Sequence, residues 1–127
     1  MMSDDKAVKH DGGKPPLELL PSMPLVMIAE VLGFGARKYA AHNWRQGFDQ
    51  SRLIGAALRH LLAYNDGEDI DPESGLSHLA HLGCCVLFLL EHQAKGIGRD
   101  DRYKRPVSTS PDDRPSAAPS PPEPADR

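Results

Sequence analysis

With 127 residues and a formal charge of −3, the chain has room for one small domain and no general attraction for nucleic acid or an anionic membrane surface. A phosphate-bearing partner therefore needs a local basic site, which favours a small ligand over a polymer. The two cysteines, Cys84 and Cys85, are adjacent and cannot form an ordinary bridge with each other, which fits a reducing cytoplasm.

Residues 1–8 are polar, with no apolar core, and read as a flexible N-terminus rather than a signal peptide. In Lys9-His10-Asp11-Gly12-Gly13-Lys14-Pro15-Pro16 the paired glycines permit tight backbone approach and the two lysines supply charge. Such a loop is either a phosphate cradle or a solvated turn into the first helix; it lacks the Walker spacing.

Ser22 and Pro24 mark a helix start, after which Leu25, Ile28, Ala29, Leu32, Ala36 and Tyr39 recur at helical steps and form a core-facing stripe. Gly33 and Gly35 each cost about 1 kcal/mol relative to alanine inside a helix, so close packing, a kink or a ligand is expected there. The following loop, Asn43-Trp44-Arg45-Gln46-Gly47, can either stack and hydrogen-bond a purine base or anchor itself to the core through its aromatic ring.

Ser51 is the expected cap of a second helix, with Leu53, Ala56, Ala57, Leu61 and Tyr64 inward, His60 on the same face, and Gly67 at its end. Arg59 points about 100° away, toward phosphate or solvent. An acidic connection carrying Asp66, Glu68, Asp69, Asp71 and Glu73 turns the chain, and Asp71 to Gly75 start a third helix. From Leu76 to Leu90 that helix is apolar nearly all round, so it should be central or in a subunit interface. The run Leu82 to Leu90 is too short for a bilayer, which takes about 20 residues. His78 and His81 share one face and need partners if buried. Three histidines flanking five carboxylates have the makings of a metal site; the alternatives are satisfied core histidines and helix-capping carboxylates.

Residues 99–105 form a charged extension that either packs back or closes over a ligand. Residues 106–127, with seven prolines among serine, alanine and charges, read as a disordered tail. The fold expected is all-α: a small bundle of three principal helices over residues 9–98, too thin in its core for a comfortable monomer and completed as a homodimer or tetramer.

Six short motifs occur in order. They are Lys9 to Pro15, Phe34-Gly35-Ala36-Arg37-Lys38-Tyr39, Asn43 to Gly47, Arg59-His60-Leu61, Gly67 to Asp71, and Gly75-Leu76-Ser77-His78-Leu79-Ala80-His81. Together they resemble the dATP/dGTP diphosphohydrolase N-terminal domain of bacteriophage proteins, near the MazG-like all-α pyrophosphohydrolases. That resemblance implies an enzyme cleaving a purine deoxynucleoside triphosphate to monophosphate and pyrophosphate with a divalent metal. Relatives called MazZ supply dGMP to phages whose genomes carry 2-aminoadenine; others adjust the nucleotide pool. Its MazG-like relatives hold Mg²⁺ on Glu-Glu-x-x-Glu and Glu-x-x-Asp helices, whereas here His78-Leu79-Ala80-His81 keeps the spacing and changes the ligand type.

On that resemblance the expected ligands are His60, His78 and His81 with Glu68 or Asp71. Imidazole suits Mn²⁺, Fe²⁺, Co²⁺ or Zn²⁺, and Mg²⁺ on carboxylates alone stays open. Glu68 or His60 is expected to take the proton from the attacking water. Lys14, Lys38, Arg45 and Arg59 are candidates for the triphosphate, and Asn43 and Trp44 for the base. Two other classes compete: a His-Asp-type triphosphohydrolase, although His10-Asp11 lies in a glycine-rich turn, and a non-catalytic helical adaptor.

Overall fold

The computed structural model describes residues 6–106, and among these it contains three α-helices and no strand longer than a single bridge. The helices are α1 (Ser22–Lys38), α2 (Gln50–Asn65) and α3 (His78–Lys95), with short 3-10 turns at Leu17–Leu19 and Asn43–Gln46. The all-α expectation holds. The expectations of a flexible N-terminus, as far as Asp5, and of a disordered tail, from Val107, fall outside the described residues.

α1 opens after Pro21, whose extended backbone feeds the helix; Ser22 is its first residue rather than a cap. Pro24 sits in the first turn, where a missing N–H costs no helical bond. α3 begins at His78, later than the acidic turn suggested. Residues 70–77 close on themselves first, through the Ile70–Ser77 bridge and the Asp71 N–H to Leu76 carbonyl bond. Ser77 then caps α3 by accepting from the Leu79 N–H at 3.1 Å, and Gly96, at φ 66°, ends it in the left-handed conformation.

The N-terminus of α2 is capped from far along the chain, and Ser51 is not its cap. Asp49 precedes the helix, the Gln50 N–H donates to the Arg99 carbonyl at 2.9 Å, and the Ser51 N–H donates to Asp101 Oδ1 at 2.8 Å. Arg99 returns a two-pronged pair to Asp49, at 3.2 and 3.1 Å. The charged extension therefore packs back on the bundle as a strap. Four orphan N–H groups at a helix start always need acceptors, and here tertiary structure supplies two of them.

α1 and α2 both pack on α3 rather than on each other, which makes α3 the centre of the molecule. The tightest core is Val31, Ala80 and Cys84, with Ile28, Leu32, Leu76 and Phe88 against it. Of the two predicted stripes, Leu53 and Ala57 are buried, but Leu25, Tyr39, Leu61 and Tyr64 stay largely exposed. Leu58, Leu62, Leu79, Val86, Leu87 and Leu90 are exposed as well, so a single copy leaves much apolar surface in water. No described helix is long and apolar enough to cross a membrane. Close helix packing occurs not at Gly33 or Gly35 but at Gly83, where an added Cβ would stand 2.8 Å from Ile28 Cδ1.

Candidate functional site

The three helices and two of their connections enclose an open cavity of about 520 Å³. α3 gives it His78, His81, Cys84, Cys85 and Phe88; α2 gives Leu53, Ala56, Arg59 and His60; α1 gives Val31, Phe34, Gly35 and Lys38. Asn43, Trp44 and Phe48 close one side, and Asp71 and Glu73 reach in from the acidic turn. Helical spacing explains the convergence. His78 and His81 lie one turn apart on α3, and His60 occupies the face of α2 that packs against them.

The three imidazoles meet. His60 Nδ1 lies 2.9 Å from His78 Nδ1, and the His60 and His81 rings stack with centroids 4.5 Å apart and planes 9° from parallel. On the far side of His78, Nε2 lies 2.6 Å from Glu68 Oε1. A carboxylate only accepts, so His78 Nε2 carries the proton. In neutral His78, Nδ1 is then bare and accepts from His60 Nδ1–H, which leaves His60 Nε2 with a free lone pair. A second chain runs beside the first: Ser74 Oγ donates to Asp71 Oδ2 at 3.1 Å and pairs with His81 Nε2 at 2.7 Å. Since that hydroxyl proton is committed to Asp71, His81 Nε2–H is the donor. The edge of Phe34 faces His81 at 6.2 Å.

Burial, then the positive field of His81, lowers the His60 pKa below its ordinary value, with Asp71 opposing. Burial lowers His81 likewise, again against Asp71. Asp71 itself resists burial: hydrogen bonds from Ser74 and the Glu73 N–H, with the charges of His81 and His60, hold its carboxyl below the usual range. Both imidazoles are thus neutral near pH 7, and the fold is more stable with them so. Between their lowered folded-state values and 6.5 the unfolded chain binds more protons than the folded one, so stability falls as pH drops through that window. Thermal melts should give a lower Tm at pH 5.5 than at pH 7.5; an equal or higher Tm at pH 5.5 would contradict this arrangement of neutral rings.

The expected ligand set is brought together, but as a hydrogen-bonded chain. Among the described residues no three His, Cys, Asp or Glu side chains are disposed to hold one ion. His78 has both nitrogens engaged, and Asp71 and His81 are joined through Ser74. As arranged, these groups do not fit a resident metal.

Other candidates divide. Lys38, Asn43, Trp44 and Arg59 line the cavity. Lys38 is paired with Glu73, which raises its pKa. Trp44 is already stacked, on Phe88 at 4.5 Å and under the Arg45 guanidinium at 4.4 Å, so it anchors its loop. Arg45 bonds His42 and Glu91 and is not in the cavity wall. Lys14 lies in the exposed N-terminal segment, away from the cavity, as do His10 and Asp11. Glu68 is about half exposed and reaches the cavity only through His78.

Sequence reasoning missed Ser74, Phe34 and His92. Among the described residues His92 is the most deeply buried side chain; its Nε2 accepts the Phe48 N–H at 3.1 Å and its ring stacks on Trp44 and Phe48. Its place in α3 beyond the apolar run was the available signal. Cys84 and Cys85 are free and buried, and burial pushes the Cys84 thiol up to about 12, so neither is a nucleophile at neutral pH.

A family model described as dATP/dGTP diphosphohydrolase, N-terminal, matches residues 4–102. A dATP/dGTP diphosphohydrolase of Salmonella phage PMBT28 is 39% identical over 82 residues, covering 65% of this chain and 28% of that protein. The chain thus matches little more than a quarter of that relative's length. No solved structure matches it.

Proposed function

The chain belongs to the dATP/dGTP diphosphohydrolase N-terminal family, and from that premise we propose that its cavity binds a purine deoxynucleoside triphosphate, dGTP or dATP, and hydrolyses it to the monophosphate and pyrophosphate. The observation that carries this reading is the Glu68–His78–His60 chain of contacts, which ends at His60 in the wall of a cavity of small-molecule size.

His60 is the general base. Glu68 orients His78, His78 orients His60, and lowered basicity keeps His60 neutral at working pH. Water's oxygen forms a bond to the α-phosphorus as the bond to the bridging oxygen breaks. The water proton goes to His60 Nε2, and pyrophosphate leaves with the electron pair. Asp71, beside both His60 and His81, stabilises the imidazolium that results. Of the two bases weighed from sequence, Glu68 thereby becomes a positioning residue. Lys38 and Arg59 neutralise phosphoryl charge, and Asn43, in the cavity wall, hydrogen-bonds the base.

A divalent cation, Mg²⁺ or Mn²⁺ before Co²⁺, Fe²⁺ or Zn²⁺, is proposed to arrive with the triphosphate. When bound it supplies charge neutralisation on the phosphoryl oxygens. The product would serve nucleotide-pool control or dGMP supply to 2-aminoadenine nucleotide synthesis in a phage-infected cytoplasm. The exposed leucines of α2 and α3 support a homodimer or tetramer. A non-catalytic adaptor gains nothing from the paired histidines, and a His-Asp triphosphohydrolase gains nothing from the exposed His10 and Asp11.

The test is to incubate the protein with each of the four canonical dNTPs and Mg²⁺, Mn²⁺ or Co²⁺ and to separate the products. Purine deoxynucleoside monophosphate plus pyrophosphate is expected. Tripolyphosphate would select the His-Asp reading, and no turnover under any condition would select the adaptor.

A further inference from the structure

We propose that the exposed face of α2 carrying Arg52, Gly55 and Arg59 is a pyrophosphate-binding groove, through which the leaving group of the reaction proposed above is held and released; the inference rests on that reading. A second cavity, of about 350 Å³, is lined by Phe48, Ser51, Arg52, Leu53, Gly55 and Arg59. It shares Phe48, Leu53 and Arg59 with the main cavity, so Arg59 stands at the boundary of the two.

Positions 52, 55 and 59 form one stripe of a helix, with Arg52 and Arg59 about 10.5 Å apart along its axis. Gly55 lies between them. A Cβ there would stand 3.2 Å from Arg59 Nη1, so the guanidinium lies close over bare backbone. Among the described residues neither Arg52 nor Arg59 is in an ion pair. Asp49, one turn before Arg52, is engaged by Arg99, and Asp101 by Ser51. Two free guanidinium forks facing a shallow floor match an anion with two phosphoryl groups.

The order along α2 supplies the direction. Arg59 and His60 are consecutive and point about 100° apart. The ring that takes the water proton and the guanidinium that meets the leaving oxygens thus leave α2 in different directions. Pyrophosphate would pass from Arg59, which lines both cavities, toward Arg52, which lines only the second.

Isothermal titration of inorganic pyrophosphate into the full chain, without nucleotide, tests this. Wild type should bind, and Arg52→Ala should weaken binding about tenfold or more, as expected for loss of one charged hydrogen-bonding fork, with Arg52→Lys in between and the Tm unchanged. In turnover, Arg52→Ala should raise the inhibition constant of pyrophosphate by a similar factor and leave inhibition by the monophosphate as it was. Equal pyrophosphate affinity in wild type and Arg52→Ala overturns the groove, as does turnover without any pyrophosphate binding at millimolar concentration. Arg52-dependent binding in a protein that hydrolyses no dNTP would support the groove and sink the reaction, so the two failures are distinguishable.

Discussion

Replacing His60 by Asn is expected to lower kcat by about 10²–10⁴, the usual contribution of a positioned general base, while changing KM only a few-fold. Asn is the informative substitution because its amide N–H₂ can still donate to His78 Nδ1, where His60 Nδ1 lies at 2.9 Å. The pair survives and the basic nitrogen is lost. Alanine would also strand His78, confusing a catalytic loss with a packing one. A loss of 10²–10⁴ corresponds to roughly 3–5 kcal/mol of transition-state stabilisation. Glu68→Gln should cost less, since the amide oxygen still accepts from His78 Nε2, and its effect should appear in kcat with KM intact. Steady-state kinetics on the three proteins, with melts to verify folding, checks both. Full activity in His60→Asn would remove His60 from the chemistry.

The second large effect is structural. Gly98→Ala should lower stability by on the order of 3–5 kcal/mol, combining the cost of a positive φ with a backbone clash. Gly98 has φ +74°, and an added Cβ would fall 2.3 Å from the Phe48 carbonyl oxygen and 2.9 Å from His92 Cδ2. Gly47, at φ +97°, faces it, with a Cβ site 2.5 Å from Gly98 N. Neither clash can be relieved by turning a side chain, because the neighbours are mainly backbone. Relief requires moving the strap off Phe48, which also disturbs the His92 Nε2 bond and the N-terminus of α2. For a domain of this size the expected fall in Tm is roughly 12–25 °C, read by circular dichroism. Gly83→Ala is the control: its contact is the flexible end of Ile28, so the change should stay within about 1 kcal/mol. Equal Tm values for Gly98→Ala and wild type would contradict the described crossing.

Much of this was legible in local pattern. Three helices follow from apolar periodicity, and His60, His78 and His81 were visible as polar residues placed at helical spacing on faces that otherwise want burial. What pattern could not show is direction between elements. Ser74 became the link between Asp71 and His81 only once residues 70–77 folded on themselves. The capping of α2 by Asp101 and the Gly47–Gly98 crossing join residues some fifty positions apart and leave no periodic trace. Single cations were equally mute: Arg45 stacks on Trp44 and Lys14 stays in an exposed segment, whereas Arg52, unremarkable in sequence, faces a groove. The apolar stripes of α1 and α2 follow from periodicity, but three of the six named positions in the first and two of the five in the second are exposed in one copy. Periodicity reports an apolar face without saying what covers it.

The relay ending at His60 is tested most directly by nitrogen NMR of imidazole-labelled protein at pH 7.5. His60 should show a protonated Nδ1 and a bare Nε2, with a titration midpoint below 6.5, as its burial requires. A proton on His60 Nε2, or an imidazolium at that pH, would contradict the account.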